Sequence, residues 1–278
     1  MNRAVALLAI ATMVLLGLVV GYRNAAAAPI VRYLTIRTPD YPEGLAPVRV
    51  ALVSDMHVHG PDMPPARLGA VVEQINTLHP DLDILAGDFV GGSWVGAHYS
   101  PAQAIAPLRG LKARLGVYAV LGNHDYNVGG DAVARALADA GVHVLVNQAT
   151  PAGPIALGGI DGDIRVRRAV WLERRKQTYA ALEHIGGVKL VVAHRPDEFE
   201  SAPPWIDLMV AGHTHCGQIA LPLIGPLETG SDFGRKYLCG VIRNGRKLLV
   251  VTAGVGTSHL PLRIGAPADL WLIRIERG

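Results

Sequence analysis

The chain has 278 residues, 50% of them hydrophobic and 18% charged, which fits one large globular domain or two small ones with ample material for a core. Its net charge of +3 is too small to indicate a nucleic-acid partner, and no block of lysine and arginine creates a basic surface locally. Two cysteines, Cys216 and Cys239, exclude a disulfide framework and leave one bridge or two free thiols open.

The N-terminal segment, residues 1–28, predicts a transmembrane or signal helix. After Arg3, an uncharged apolar stretch runs from Ala4 to Val20 and gives a helix of about 25 Å, against a bilayer core of about 30 Å. The stretch is longer than a typical signal-peptide core, although the alanines at 25–28 offer a cleavage site. We therefore favour an uncleaved anchor over a cleaved signal. Arginines on both sides leave the orientation open, and export is the usual fate of a domain behind such a segment.

From about residue 47, short apolar runs alternate with amphipathic stretches. The apolar runs predict strands, and the stretches with apolar residues at helical spacing predict helices. The first strands are predicted over 48–55, 82–88, 116–125, 143–148, 155–161, 188–194 and 206–215. Helices are predicted over 64–81, 100–113, 131–141 and 173–185, with Pro107 as a potential break in the second. The last sixty or so residues are rich in strands, predicted over 217–222, 236–242, 247–254 and 269–275.

Strands that alternate with helices indicate βαβ units, and a strand-rich tail indicates a second sheet packed on the first. We therefore expect an α/β protein, a sandwich of two sheets with helices on its outer faces. No internal repeat or low-complexity linker divides residues 29–278, which we take as one domain.

Acidic, amide and histidine residues follow the predicted strands with notable regularity. The candidate ligands are Asp55, His57, Asp88, Asn123, His194, His213 and His215, with His124 and Asp125 beside them. In an open α/β sheet, ligands bind beyond the carboxyl ends of the strands, so these side chains are expected at one rim. Carboxylate, imidazole and amide oxygen together suit Mn, Fe or Zn better than Mg. Seven ligands are too many for one tetrahedral ion and fit two ions that share a bridging carboxylate.

In this order, D-x-H, G-D, G-N-H-D, a strand-terminal histidine and G-H-T-H resemble the signature of the calcineurin-like metallophosphoesterases. The resemblance covers roughly residues 48–260 and implies a four-layer αββα sandwich, two mixed sheets flanked by helices, with a dinuclear metal centre. It implies one metal on Asp55, His57 and His215. It implies a second on Asn123, His194 and His213, with Asp88 bridging the two. It also implies that His124 donates a proton to the leaving group or stabilises it, and that Asp125 orients His124.

Departures from the family pattern narrow the choice of subfamily. The stretch "GDFVGGSW" lacks the second aspartate and the arginine that Ser/Thr protein phosphatases carry there, which argues against that class. "GHTHCGQIALP", "GVGTSHLPLRIGAP" and the apolar N-terminus are similar to a bacterial membrane-associated branch that includes small phosphodiesterases and UDP-2,3-diacylglucosamine pyrophosphohydrolase-type enzymes. Arg263 is expected either to contact an anionic substrate or to be an ordinary surface arginine. His59, His98, His143 and His259 match no ligand position and are interpreted as surface residues or as support for the site.

The leading hypothesis is a phosphodiesterase or pyrophosphohydrolase dependent on two divalent metal ions, anchored in the cell membrane of a bacterium with its domain on the extracytoplasmic side. Its substrate would be a phosphate-ester small molecule or a lipid-linked or nucleotide-linked phosphate. The alternative is a metal-binding scaffold of the same fold without catalysis. A nuclease of the same superfamily is disfavoured, because the chain lacks the basic surface that a phosphate backbone requires.

Overall fold

The computed structural model describes residues 3–92, 94–163, 165 and 167–278. Within them, the helices are α1 (Arg3–Ala26), α2 (Pro65–Thr77), α3 (Pro101–Ile105), α4 (Asn123–Val128), α5 (Gly130–Asp139) and α6 (Arg168–Glu183). The strands are β1 (Ile30–Thr38), β2 (Val48–Val53), β3 (Leu82–Ala86), β4 (Val117–Val120), β5 (His143–Val144), β6 (Gln148–Ala152), β7 (Ile155–Ile160), β8 (Val188–Ala193), β9 (Leu208–Ala211), β10 (Ala220–Leu221), β11 (Gly225–Pro226), β12 (Gly240–Asn244), β13 (Lys247–Val251) and β14 (Asp269–Arg277).

Two mixed six-stranded sheets occupy the middle of the fold. The first has the order β1-β14-β2-β3-β4-β5, and β2 to β5 run parallel. The second has the order β12-β13-β9-β8-β7-β6, parallel from β13 to β7 and antiparallel at both edges. A parallel sheet collects the carboxyl ends of its strands at one edge, so the loops after β2, β3 and β4, and those after β8 and β9, each share an edge.

The two sheets face each other across one apolar layer, in which Leu52 of the first sheet and Val210 of the second belong to the same buried cluster. On the outer face of the first sheet, α2 and α5 contribute Val72 and Leu137 to a second cluster. Leu182 of α6 belongs to a third cluster, on the outer face of the second sheet. These four layers confirm the predicted α/β sandwich.

Several element predictions need correction. β1 was not predicted, and it pairs in parallel with β14 from the far end of the chain. The helix predicted over 100–113 stops at Ile105 and continues as a 3-10 turn, Ala106–Gly110, because Pro107 has no N–H for a further helical bond. The strand predicted over 143–148 shrinks to β5, and β6 follows it in the other sheet.

Helix α1 is long and apolar enough to cross a membrane, by length and composition. Most of its side chains are exposed, and its buried residues are Gly21 and Ala25 near its C-terminal end. The helix therefore meets the domain through its last two turns, and β1 begins four residues after Ala26.

The sequence left one disulfide bridge or two free thiols open. In the structure Cys216 and Cys239 form a bridge, and their Cα atoms lie 5.0 Å apart. Beside it, the Thr214 hydroxyl donates to the carbonyl of Leu238 at 2.7 Å. Both contacts tie the loop after β9 to the segment before β12.

Candidate metal centre

The seven predicted ligands come together at one rim, from the loops after β2, β3, β4, β8 and β9. Asp55, His57 and His215 form one group whose ligand atoms lie within 4.8 Å of one another. His57 Nε2 lies 3.1 Å from His215 Nε2, and His215 Nε2 lies 3.6 Å from Asp55 Oδ1. Two imidazole nitrogens that share a tetrahedral ion at about 2.0–2.1 Å lie about 3.3 Å apart, so this spacing fits one metal.

Asp88, His194 and His213 form a second group within the same limit. His194 Nε2 lies 3.1 Å from His213 Nδ1 and 3.1 Å from the amide oxygen of Asn123. Carboxylate, imidazole and amide oxygen therefore converge here too, which fits a second ion.

The carboxylate of Asp88 lies between the two groups. Its Oδ2 is 3.5 Å from His57 Nε2 in the first group and 3.2 Å from His194 Nε2 in the second. One oxygen within reach of both groups is the geometry that a bridging ligand needs.

The outward-facing ring nitrogens of the histidines have partners of their own. His57 Nδ1 lies 2.8 Å from the carbonyl of Gly91, and His194 Nδ1 lies 2.8 Å from the carbonyl of Ala86. A carbonyl accepts only from an N–H, so in the neutral form of both rings the Nε2 atoms are left as lone-pair ligands. The hydrogen bonds thus set the tautomers that metal binding requires.

The backbone at the site is unusual. Five predicted ligands have positive φ: Asp55, His57, Asp88, His213 and His215, between 43° and 70°. Non-glycine residues rarely adopt this conformation, and it concentrates at functional sites. Gly122 and Gly212 permit the close packing, because a Cβ on either would lie 2.1 or 2.2 Å from a carboxylate oxygen of Asp88 or Asp55.

Burial separates the pKa values of the ligands. It lowers the pKa of His57 and of His213 to about 3, and that of His215 well below its ordinary value. These imidazoles are neutral at physiological pH, which is the form that binds metal. Burial also opposes charge on His194, but the neighbouring Asp88 carboxylate outweighs it and raises the pKa of His194 to about 9.

His124 lies beside the two groups and faces a cavity of about 560 Å³. Its ring centroid is 4.8 Å from that of His57, and its backbone N–H donates to Asp88 Oδ1 at 2.9 Å. Burial lowers the pKa of His124, and the charge of Asp88 opposes the shift. The side chain is thus placed to meet a substrate group beside the ligands.

Asp125 acts differently from the expectation. Its carboxylate accepts from the backbone N–H groups of Asp88, Phe89, Val90 and Gly122, at 2.8 to 3.2 Å. Among the described residues, it makes no hydrogen bond to the His124 ring. Burial, with the Asp88 charge, raises the pKa of Asp125 to about 7 against these N–H donors. Asp125 therefore joins the loops after β3 and β4, and orients His124 only through the backbone.

Arg263 does not lie where it was expected. Its side chain is wholly buried and contacts neither solvent nor an open cavity in the described structure. The guanidinium donates to the carbonyls of Ala253, Gly256 and Ala266 at 2.7 to 2.9 Å. Its Nη2 also lies 3.4 Å from His215 Nδ1. Arg263 thus packs behind the candidate ligand His215, and both expectations, substrate contact and ordinary surface position, are wrong.

Most residues that line the cavity in front of His124 were not predicted from the sequence. Trp94, Gln218, Leu227 and Leu260 line the cavity together with His259, which was interpreted only as surface or support. A second cavity of about 510 Å³ borders His194 and is lined by charged and aromatic side chains, among them Asp163, Arg168, Trp171 and Arg195. His59 is buried behind the ligands and lies 3.1 Å from Asp62, while His98 and His143 are exposed.

The sequence of the chain is similar to those of several known proteins. The family model for calcineurin-like phosphoesterases matches residues 48–217. A zebrafish (Danio rerio) protein named "Transmembrane protein with metallophosphoesterase domain" is 31% identical over 93% of this chain. An Aquifex aeolicus metallophosphoesterase is 30% identical over 87% of this chain and 90% of its own length. The Escherichia coli phosphodiesterase YaeI is 28% identical over 84% of each chain.

The match to the vertebrate relative spans 60% of that protein's length. None of these three names belongs to the UDP-2,3-diacylglucosamine pyrophosphohydrolase branch, so that finer assignment stays a prediction.

Proposed function

The chain belongs to the calcineurin-like phosphoesterase family, and on this premise we propose that it is a phosphodiesterase or pyrophosphohydrolase that uses two divalent metal ions at a membrane. The observation that carries the proposal is the position of Asp88. Its Oδ2 lies within 3.5 Å of a ligand nitrogen in each of two separate groups, and a single-ion site has no use for that arrangement.

When bound, two such ions offset the charge on phosphoryl oxygens and lower the pKa of a water molecule. The first would be held by Asp55, His57 and His215, and the second by Asn123, His194 and His213, with Asp88 shared. Mn, Fe and Zn all suit these ligands.

The role we assign to His124 is to hold a proton for the leaving oxygen. Burial keeps its imidazole neutral, and an anionic phosphate entering the cavity would favour the charged form and raise its pKa. The protonated ring would then donate to the oxygen that leaves phosphorus. Asp125 keeps this ring in place by fixing the backbone of the Gly122 loop.

Helix α1 and the disulfide support an anchored domain on the extracytoplasmic side. The buried Gly21 lies N-terminal to the candidate cleavage site at alanines 25–28 and the buried Ala25 lies within it, so cleavage after Ala28 would remove contacts with the domain. Disulfides such as the Cys216–Cys239 bridge form in oxidising compartments and are rare in cytosolic proteins.

An amphiphilic phosphate ester fits the two cavities. The cavity in front of His124 is bordered by Trp94, Leu227 and Leu260, whereas the cavity beside His194 is lined by charged side chains of both signs, among them Arg168, Arg195, Asp197 and Glu198. We therefore place the apolar part of the substrate on the first side and a polar head group on the second.

The proposal is tested on the full chain in detergent, with metal content measured beside activity. We expect two ions per chain and hydrolysis of bis-p-nitrophenyl phosphate in preference to the monoester. EDTA should abolish turnover and Mn²⁺ should restore it. A panel with a UDP-lipid and a cyclic nucleotide would then narrow the substrate.

Asp88→Asn should lose metal and turnover together, whereas Asp139→Asn on an exposed face of α5 should change neither. Turnover that survives complete metal removal would rule out the mechanism. Two bound ions without hydrolysis of any substrate would favour the scaffold alternative.

A further inference from the structure

The last two turns of α1 dock on a segment that also lines the candidate active site. The Gly21 carbonyl accepts from the backbone N–H of Arg263 at 2.9 Å, and Asn24 Nδ2 donates to the Arg263 carbonyl at 3.2 Å. A Cβ on Gly21 would lie 3.2 Å from Leu262 and 3.5 Å from Ile264, so the helix backbone packs closely against these side chains. Helix and domain are thus joined without a flexible linker.

The docking segment, residues 262–264, is hydrogen-bonded to an apolar hairpin. The Ile264 carbonyl accepts from the N–H of Ala220 at 2.7 Å, where β10 begins, and β10 pairs with β11. The tip between them is Leu223, fully exposed, and Ile224, 62% exposed. Residues 219–227 carry no charge at all, an uncommon surface for a soluble domain.

The same segment reaches the cavity in front of His124. Leu260 lines that cavity with Leu227 from the base of the hairpin, and Leu227 is 62% exposed. Trp94, 75% exposed, packs its ring 4.7 Å from that of His259 and donates its backbone N–H to the His259 carbonyl. We call Trp94, Leu223, Ile224, Leu227 and Leu260 the apolar rim.

The length of α1 places this rim near lipid. Ala4–Val20 spans about 25 Å, less than a bilayer core of about 30 Å, so the whole stretch is needed to cross. Gly21, the next residue, already touches the domain. With α1 across the bilayer, the segment that contacts Gly21 lies at the membrane interface, where exposed tryptophan and aliphatic side chains such as those of the rim are stabilised.

We propose that the apolar rim inserts into the bilayer that holds α1, and that the cavity takes a phosphate-ester lipid directly from that bilayer. The membrane contact is argued from the docking of α1, the apolar hairpin and the exposure of the rim side chains, whereas the choice of a lipid substrate rests on the proposed function. No separate lipid carrier is needed in this arrangement.

The contact is tested with the full chain reconstituted in phosphatidylcholine–phosphatidylglycerol vesicles. Because the native cysteines are paired, Leu223→Cys can be labelled selectively with the fluorophore NBD. We expect blue-shifted emission that a nitroxide on the lipid acyl chain quenches. Leu45→Cys, 55% exposed and at the opposite end of β2 from the ligands, is the matched control and should report water.

Water-like emission at both positions would overturn the contact. So would a blue shift at position 223 that lipid-borne nitroxide leaves unquenched, because the label would then be covered by protein.

The lipid route is tested by turnover of two substrates. The double variant Leu223→Glu with Ile224→Glu should lower hydrolysis of a vesicle-embedded lipid phosphodiester by about tenfold, since two charges then oppose insertion. Hydrolysis of soluble bis-p-nitrophenyl phosphate should be unchanged, and Leu45→Glu should affect neither substrate. Equal effects on both substrates would refute the lipid route. If neither substrate is hydrolysed by the unmodified chain, the proposed function fails, while the label still decides the membrane contact.

Discussion

Replacement of Arg263 by methionine removes a buried guanidinium while keeping an unbranched side chain in its place. In the structure, the group donates to the carbonyls of Ala253, Gly254, Gly256 and Ala266 at 2.7 to 3.2 Å. Burial lowers the pKa of Arg263 to about 10, which still leaves it charged at physiological pH. The perturbation is therefore the loss of one buried charge and several charged hydrogen bonds.

The expected magnitude comes from the carbonyls left behind. Each unsatisfied buried acceptor costs about 1–3 kcal/mol. The Gly254 carbonyl keeps a second donor in the Asp269 N–H, so the other three would sum to about 3 kcal/mol at the least. Removal of the desolvated charge offsets part of this sum. We expect about 3 kcal/mol, which lowers Tm by roughly 6–12 °C for a domain of this size.

The second readout is metal content, because Arg263 lies against the ring of His215. Loss of a group that orients a ligand typically lowers metal affinity by about 10- to 100-fold. We expect Arg263→Met to weaken the ion held by Asp55, His57 and His215 and to spare the other. Arg263→Lys keeps the charge but not the planar fork, and should fall between methionine and the native residue.

The assay pairs thermal unfolding with metal titration, and Arg274→Met on the exposed part of β14 serves as the control. That surface variant should stay within about 0.5 kcal/mol of the native chain. The reasoning is refuted if Arg263→Met unfolds within about 2 °C of the control and binds both ions with native affinity.

The remaining predictions concern the proton donor, a buried acid and the disulfide. His124→Ala should lower turnover by about 10²- to 10⁴-fold at unchanged metal content, and a variant that loses its metal would show that His124 is a ligand instead. Burial raises the pKa of Asp83 to about 7, and both its oxygens lack a partner among the described residues, so its folded-state pKa lies above its unfolded one. Stability should then fall by up to about 4 kcal/mol as pH rises from about 4 to 7. Asp83→Asn should accordingly raise the urea-unfolding free energy at pH 8 and barely change it at pH 4; equal effects at both pH values would contradict this. Cys239→Ser should cost about 3 kcal/mol, the chain entropy of a loop closed across 23 residues, and an unchanged urea midpoint would contradict it.

Much of the candidate site was predictable because its signals are local. Asp55, Asp88 and His194 each follow an apolar run whose end is visible in the sequence, and a parallel sheet brings such ends together. The G-H-T-H spacing likewise predicts that His213 and His215 point to different ions, and the structure places their ring nitrogens in different groups.

Other residues were misread because their partners lie far away in the chain. Asp125 was expected to act on its neighbour His124, but its carboxylate binds a loop 35 to 37 residues earlier. β1 mixes apolar side chains with Arg32, Thr35 and Arg37 without strict alternation, and gains its place only by pairing with β14.

The sequence by itself determined the α/β class, the candidate ligand set and an apolar N-terminal helix, since strand ends, hydrophobic period and helix length are properties of adjacent residues. Only the tertiary structure decided that Arg263 is buried behind His215, that Cys216 is paired, and that α1 docks on the segment lining the cavity. Each of these depends on which distant group satisfies a buried polar atom or covers an apolar one. That choice is made by packing, because a buried donor or charge is stable only where the fold supplies its partner.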